Sequence, residues 1–214
     1  MDQLWLKEED LQEVLKEHFL PVKTEFLQTS PKVYYLSVDE KHDNSERDYL
    51  KKFLFAANTF PLYLSLYLET NNVEEYLTDF DALSLEYNVQ YSLEKRIYHS
   101  SRRIRSFYHP AYITVKFMDI DTLSQIINDT YIQAVMNDFY AISSINNVQF
   151  HYKKRTAVVP LKPNSFYISI GHDGHGFYLF SNEKRYSSIN MVMESLPAET
   201  EVTQINDKLV EELE

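Results

Sequence analysis

Apolar and polar residues alternate along several short stretches of this chain, and each such stretch predicts a β-strand. The clearest stretch covers residues 61–69, where Leu62, Leu64, Leu66 and Leu68 point to one side and tyrosine or serine to the other. The same period of two predicts strands over 32–39, 111–119, 148–153, 166–170 and 177–180. Strands of this kind form a sheet that buries one face.

Apolar residues at helical spacing predict helices between these strands. The predicted helices cover about 7–19, 45–57, 121–140 and 183–196, with a short helix from Val73. Asp121 is the expected N-cap of the helix at 121–140, and Asn182 is the expected N-cap of the helix at 183–196. Residues 84–105 fit a strand or loop followed by a basic helix. The order predicts an α+β fold. Its mixed, mostly antiparallel sheet carries helices packed on one face and includes a late β-hairpin at 166–180.

The length and composition predict one main domain. A chain of 214 residues with 44% apolar residues can bury a substantial core. Pro197 follows the last predicted core helix, so we expect a single α+β domain over 1–197. Residues 198–203 are polar and predict a linker, and the end of the chain predicts a short amphipathic helix. The expected linker and tail therefore cover 198–214.

Charge and composition exclude several classes of function. The net charge of −11 opposes binding to nucleic-acid phosphates or anionic membranes and favours a basic partner. The chain has no cysteine, which excludes thiol catalysis and thiolate metal sites. All three glycines lie within 171–176, so no phosphate-binding loop or nucleophile elbow can form elsewhere. No cofactor is expected. The acidic N-terminus and short apolar runs predict no signal peptide and no membrane span, hence a cytoplasmic protein.

The stretch GHDGHG at 171–176 offers the most specific candidate chemistry. Asp173-Gly174 between two apolar strands predicts a two-residue hairpin turn, which pairs His172 with His175. Opposed residues on antiparallel strands have Cβ atoms about 5 Å apart, so two imidazoles and Asp173 could share a divalent metal. Structural zinc sites use more ligands than this turn supplies. We therefore interpret the stretch first as a turn and second as a metal site of a hydrolase or phosphotransferase.

A basic segment at 95–105 raises a second alternative. It contains Arg96, Arg102, Arg103 and Arg105 close to several aromatic residues, a composition typical of phosphate or RNA binding. The acidic net charge argues against a nucleic-acid function. The segment could instead pair internally with the acidic first half of the chain.

The leading hypothesis is a non-enzymatic protein that binds another protein. The first predicted helix carries Glu8, Glu9, Asp10 and Glu13, and this acidic surface could contact a basic partner through complementary charge. An immunity protein or antitoxin that covers the basic active site of a nuclease toxin is one concrete form of this hypothesis.

Three short elements support a family resemblance. They are LKEHF at Leu15–Phe19, the run Asn137-Asp138-Phe139, and His172-Asp173-Gly174-His175 between two late strands. In these positions the chain resembles a bacterial family of unknown function, about two hundred residues long. That family has an Asn-x-Asp-Phe-like element and an Asp-Asp-Arg-Gly hairpin. Here the arginine is absent and the acidic pair is reduced to Asp173. The resemblance implies a shared α+β fold and carries over no catalytic residue.

Overall fold

A ten-stranded, mostly antiparallel sheet forms the centre of the protein. The computed structural model describes residues 1–16, 20–27, 30–39, 42, 44–100 and 105–210, of which 98–100 are described by their backbone alone. From one edge to the other, the strands are β15 (Lys208–Leu209), β14 (Thr200–Ile205), β1 (Asp2–Glu9), β3 (Lys32–Val38), β13 (Phe177–Ser181), β12 (Phe166–Ile170), β9 (Tyr140–Ser143), β4 (Leu62–Leu68), β8 (Ala111–Phe117) and β5 (Glu86–Tyr91). Among these described strands, β1 and β14 form the one parallel pair.

Among the described residues, five helices pack on one face of this sheet, and a sixth lies on the other. The helices are α1 (Leu11–Lys16), α2 (Ser45–Ala57), α3 (Val73–Ala82), α4 (Ile120–Thr130), α5 (Ile132–Val135) and α6 (Ile189–Glu194). Phe53 of α2, Phe80 of α3 and Ile127 of α4 share one core with Leu64 and Leu66 of β4. This packing of α2–α6 confirms the predicted α+β fold, including the period-two pattern of β4.

The opposite face is covered only over its central strands. The cover is α1 and a second sheet of three strands, β10 (Gln149–His151), β11 (Thr156–Val159) and β2 (Lys23–Phe26). Val14 of α1 and Val159 of β11 form a second core with Tyr167 and Phe180 of the main sheet. The outer strand β5 lies beyond this cover, while Tyr112 of β8 still contacts Phe150 of β10. A separate two-stranded ribbon, β6 (Arg96–Ser100) and β7 (Arg105–Tyr108), is inserted between β5 and β8.

The first predicted helix is wrong over its first part. Residues 2–9 form β1, which pairs with β3 on one side and β14 on the other, and helix α1 begins only at Leu11. Leu4 and Leu6 are fully buried at a period of two, a pattern that the helix-favouring lysine and glutamate residues concealed. Residues 17–19 of the LKEHF element lie outside the described residues.

Two further predictions are corrected. The basic helix is replaced by strands β6 and β7, which pair with each other. The linker and tail helix over 198–214 are replaced through residue 210 by β14 and β15, so this part of the chain belongs to the main sheet. In both cases the deciding interaction is a strand pairing, and β14 pairs with a strand about 200 residues away in the sequence, which local patterns do not reveal.

The predicted helix at 121–140 begins earlier and ends earlier. Asp119, rather than Asp121, is the N-cap, since its Oδ1 accepts a hydrogen bond from the Thr122 backbone N–H at 2.8 Å. Asn137 has a left-handed φ of 60°, which stops the helical path before β9. Among the described residues, no helix combines the length and apolar character needed to span a membrane.

Candidate protein-binding surface

The GHDGHG stretch forms a tight hairpin turn. Ile170 pairs with Phe177, which confirms the predicted register, and the Gly171 backbone N–H donates to the Gly176 carbonyl at 3.0 Å. Asp173 and Gly174 have φ values of 57° and 80°. Two consecutive positive φ values are the backbone requirement of a type I′ turn, for which Asp-Gly is a favoured pair. The turn prediction for this stretch is therefore confirmed.

The turn is fixed against helix α5 and the residues that flank it. Asn137 Nδ2 donates to Asp173 Oδ1 at 2.6 Å, and the Asp173 backbone N–H donates to Asn137 Oδ1 at 2.8 Å. The hydroxyl of Tyr131 donates to the Gly174 carbonyl at 3.0 Å. A Cβ atom on Gly174 would lie 2.9 Å from Val135 Cγ2, so the close packing of the turn against α5 depends on glycine at this position.

The candidate metal ligands come together only in part. His172 Nδ1 lies 3.0 Å from Asp173 Oδ2, and both side chains are exposed. The carboxylate of Asp173 already accepts from Asn137, and this hydrogen bond, with the neighbouring His172, lowers its pKa. His175 is exposed on the other side of the turn. In the described parts of the chain, no three histidine, aspartate or glutamate residues are placed to hold a metal ion.

The acidic candidates do not form one helical surface. Glu8 and Glu9 end β1, Asp10 precedes α1, and Glu13 lies exposed in its first turn. Glu8 forms an ion pair with Lys32 at 2.5 Å, and Glu9 forms one with Lys7 at 3.0 Å. Asp10 Oδ1 accepts from the backbone N–H groups of the first turn at 2.8 and 3.0 Å, which is an N-cap. Lysines and backbone groups therefore already neutralise much of this acidity.

The basic candidates lie on the β6–β7 ribbon. Arg96 Nε lies 3.2 Å from Glu69 Oε1, and Arg96 Nη2 donates to the hydroxyl of Tyr152, so Arg96 anchors the base of the ribbon. Arg105 is exposed and forms no ion pair with a described residue. Arg102 and Arg103 lie outside the described residues.

A cluster of exposed apolar side chains lies on and beside the ribbon, and the sequence pattern did not indicate it. We call it the ribbon patch; it consists of Tyr91, Leu93, Ile97 and Phe107, which are 44%, 95%, 53% and 49% exposed. Ile97 and Phe107 are direct cross-strand partners and therefore project to the same side. Tyr91, Leu93 and Phe107 line one cavity of about 510 Å³. Single exposed apolar residues are ordinary, but a contiguous group marks an interaction site.

A half-buried carboxylate lies near the anchor of the ribbon. Asp138 precedes β9, and its side chain forms no hydrogen bond with a described residue. Burial and, to a smaller extent, the negative charge of Glu69 raise the pKa of Asp138 to about 6, against the opposing effect of Arg155. At neutral pH the folded protein therefore holds a carboxylate charge in an unfavourable position.

Removing this charge should stabilise the protein in a pH-dependent way. The folded-state pKa of Asp138 exceeds its ordinary value of 3.8, so the folded state binds the proton more tightly and stability falls as pH rises from about 4 to about 6. We expect Asp138→Asn to raise the free energy of unfolding by about 1 kcal/mol at pH 7.5, after solvent screening, and by almost nothing at pH 4. Urea unfolding at both pH values measures this difference. Asp39→Asn, at an exposed position, is the matched control. An equal effect of Asp138→Asn at both pH values would contradict the expectation.

No protein-family model, no curated protein and no solved structure matches this chain significantly.

Proposed function

We propose that the protein is a non-enzymatic binding protein that contacts another protein through the ribbon patch. The observation that carries the proposal is the exposure of Leu93, Ile97 and Phe107 on and beside the β6–β7 ribbon. Partially exposed aromatic and aliphatic side chains around a cavity are typical of the centre of a protein–protein interface. The proposal keeps the bacterial, cytoplasmic setting expected from the sequence.

The charge around the patch favours an acidic partner. Residues 95–105 contain five lysines and arginines and no acidic residue, in a chain with 21 basic and 32 acidic residues. Lys95 and Arg105 are exposed beside the patch, as is Glu94, and Glu74 lines the same cavity. A partner with carboxylates around an apolar contact would complement this arrangement and associate faster at low salt.

Glu8 and Glu9 already pair with lysines, so the ribbon patch takes the place of the N-terminal acids as the proposed contact surface. An immunity protein or antitoxin remains one concrete form of the proposal, with the toxin bound by the ribbon patch rather than by the N-terminal acids. The same basic segment also keeps nucleic-acid binding as a second candidate. Protein binding and nucleic-acid binding differ in salt dependence, since phosphate contacts weaken steeply with salt and apolar contacts do not.

A capture experiment with matched variants tests the proposal. Tagged wild type, Leu93→Ser/Phe107→Ser and Phe55→Ser are incubated with extract of the native host, and bound protein is identified by mass spectrometry. Phe55 is the control because its aromatic side chain is 67% exposed at a different surface, on α2. We expect one acidic protein to be enriched by wild type and Phe55→Ser. Its affinity for the double variant, measured by calorimetry with the purified partner, should be at least tenfold weaker.

The other outcomes contradict the proposal in distinct ways. Equal binding by the double variant would show that the partner uses a different surface. Recovery of nucleic acid that is released between 50 and 300 mM salt would favour the nucleic-acid candidate. A purified protein that carries a divalent metal, lost in His172→Ala/His175→Ala, would favour the metal-dependent enzyme instead.

A further inference from the structure

A second surface, which shares no lining residue with the ribbon patch, forms a groove. It lies on the face of the main sheet opposite α2–α6, where the three-stranded cover ends. Its floor includes Tyr63, Asn88 and Tyr112, its wall includes Gln149 and His151, and its volume is about 840 Å³.

The groove presents unused hydrogen-bonding groups. The carboxamides of Asn88, Gln90, Asn146 and Gln149 line it, are exposed, and form no hydrogen bond with any described residue. Each carboxamide offers donors and an acceptor, the combination that a polypeptide backbone requires. The groups beside them are already engaged. Lys116 pairs with Glu86 at 2.7 Å, which leaves this end of the floor electrically neutral.

One wall of the groove is a strand edge that pairs with no other strand in the described part of the chain. β10 is an outer strand of the three-stranded sheet and pairs with β11 on one side. In an antiparallel edge strand, alternate residues direct their backbone N–H and C=O groups away from the sheet, where an added strand can bind them. These groups complement an extended peptide at the spacing of a β-strand.

The wall is held firmly in place. The ring of Phe150 stacks on Phe139 with centroids 4.7 Å apart and contacts Tyr112 at 6.0 Å. The Tyr112 hydroxyl donates to the Val148 carbonyl at 2.6 Å. A groove fixed in this way loses little conformational freedom when a ligand binds.

We propose that this groove binds an extended, uncharged polypeptide segment, which adds as a strand beside β10 and receives hydrogen bonds from the carboxamides of Asn88, Gln90 and Gln149. Along β5, the floor runs from Glu86 to Gln90. The added strand pairs with the three residues of β10, Gln149–His151, which cover about 10 Å at about 3.3 Å per residue. The free strand edge favours a peptide over an oligosaccharide, because backbone groups at strand spacing match a polypeptide and no regular sugar repeat.

The test uses a phage-displayed library of random heptapeptides, panned against the full chain. We expect enrichment of peptides without charged residues, and the binding of one enriched peptide is then measured by fluorescence polarisation. Asn88→Ala/Gln90→Ala should weaken its affinity at least tenfold. Gln12→Ala/Asn71→Ala, which removes two exposed carboxamides outside the groove, should leave it unchanged.

Backbone methylation of the peptide distinguishes strand addition from other binding modes. Methylation of alternate peptide nitrogens should weaken binding at least tenfold, and methylation of the intervening nitrogens should have little effect. Ile97→Ser/Phe107→Ser should still bind the peptide, because neither residue lines the groove, and this separates the site from the ribbon patch. Failure to enrich any peptide that depends on Asn88 and Gln90 would overturn the proposal. Binding of neutral oligosaccharides on a glycan array, lost in the same double variant, would also overturn it and assign the groove to sugars.

Discussion

Replacing Gly171 or Gly176 with alanine is expected to destabilise the protein by about 3 kcal/mol or more. A Cβ atom on Gly171 would lie 2.0 Å from the His175 carbonyl oxygen, which belongs to the backbone of the same turn. A Cβ atom on Gly176 would lie 2.7 Å from the Leu36 carbonyl oxygen, and Gly176 also has a positive φ of 59°. Neither backbone oxygen can move without breaking the hairpin or its pairing with β3.

Urea unfolding measures the expected loss, and His172→Ala provides the control from the same turn. The His172 side chain is 61% exposed, so its removal should change the free energy of unfolding by less than about 0.5 kcal/mol. Glycine variants as stable as wild type would show that the turn relaxes at little cost. A large loss of stability in the glycine variants and a small loss in His172→Ala would show that this turn requires its glycines for backbone geometry and does not require His172 for stability.

Strands with a clear alternation were predictable from the sequence, because the pattern depends only on burial of one face. The leucines of β4 and the apolar pairs of β12 and β13 were found in this way, and the Asp-Gly turn defined their register. Strand β1 was missed, since its pattern is short and the residues after it favour a helix. Its place between β3 and β14 depends on distant partners, which single-sequence patterns do not contain.

The candidate surfaces were less predictable than the fold. Leu93, Ile97 and Phe107 gave no functional signal, because apolar residues are normally interpreted as core and the sequence does not say which of them stay exposed. The groove was only weakly indicated by the sequence. Asn88 and Gln90 alternate with Tyr87 and Val89, which identifies a strand with one polar face, but the end of the covering sheet was needed to show that this face is open.

The region after β13 shows how a cap prediction can fail for a structural reason. Asn182 was expected to start a helix that continues to residue 196. The chain instead forms a 3-10 turn at Lys184–Tyr186, and α6 begins later with Ser188 as its N-cap. The turn directs Arg185 towards the C-terminal end of α2, which has no basic residue in its own last turn. A sequence pattern does not reveal that one element supplies the cap of another.

Arg185→Ala is expected to lower the free energy of unfolding by about 3 kcal/mol. The guanidinium donates to the Ala57 carbonyl at 2.6 Å and to Thr59 Oγ1 at 2.7 Å, and it pairs with Glu183 at 2.6 Å. The Glu183 side chain is only 11% exposed, so alanine would leave its charge without a partner. The guanidinium also lies 4.8 Å from the ring centroid of the fully buried Tyr186.

Arg185→Lys separates the contribution of the charge from that of the planar, multiply donating group. Lysine retains the ion pair with Glu183 but does not bridge three acceptors, so we expect a loss of about 1 to 2 kcal/mol. Urea unfolding of wild type and both variants at pH 7.5 measures the series. Because the interaction connects the end of α2 to the turn before α6, the alanine variant should also lose hydrogen-exchange protection at both elements. A loss below 1 kcal/mol for alanine would show that water replaces these hydrogen bonds and that the two elements are held by their apolar packing.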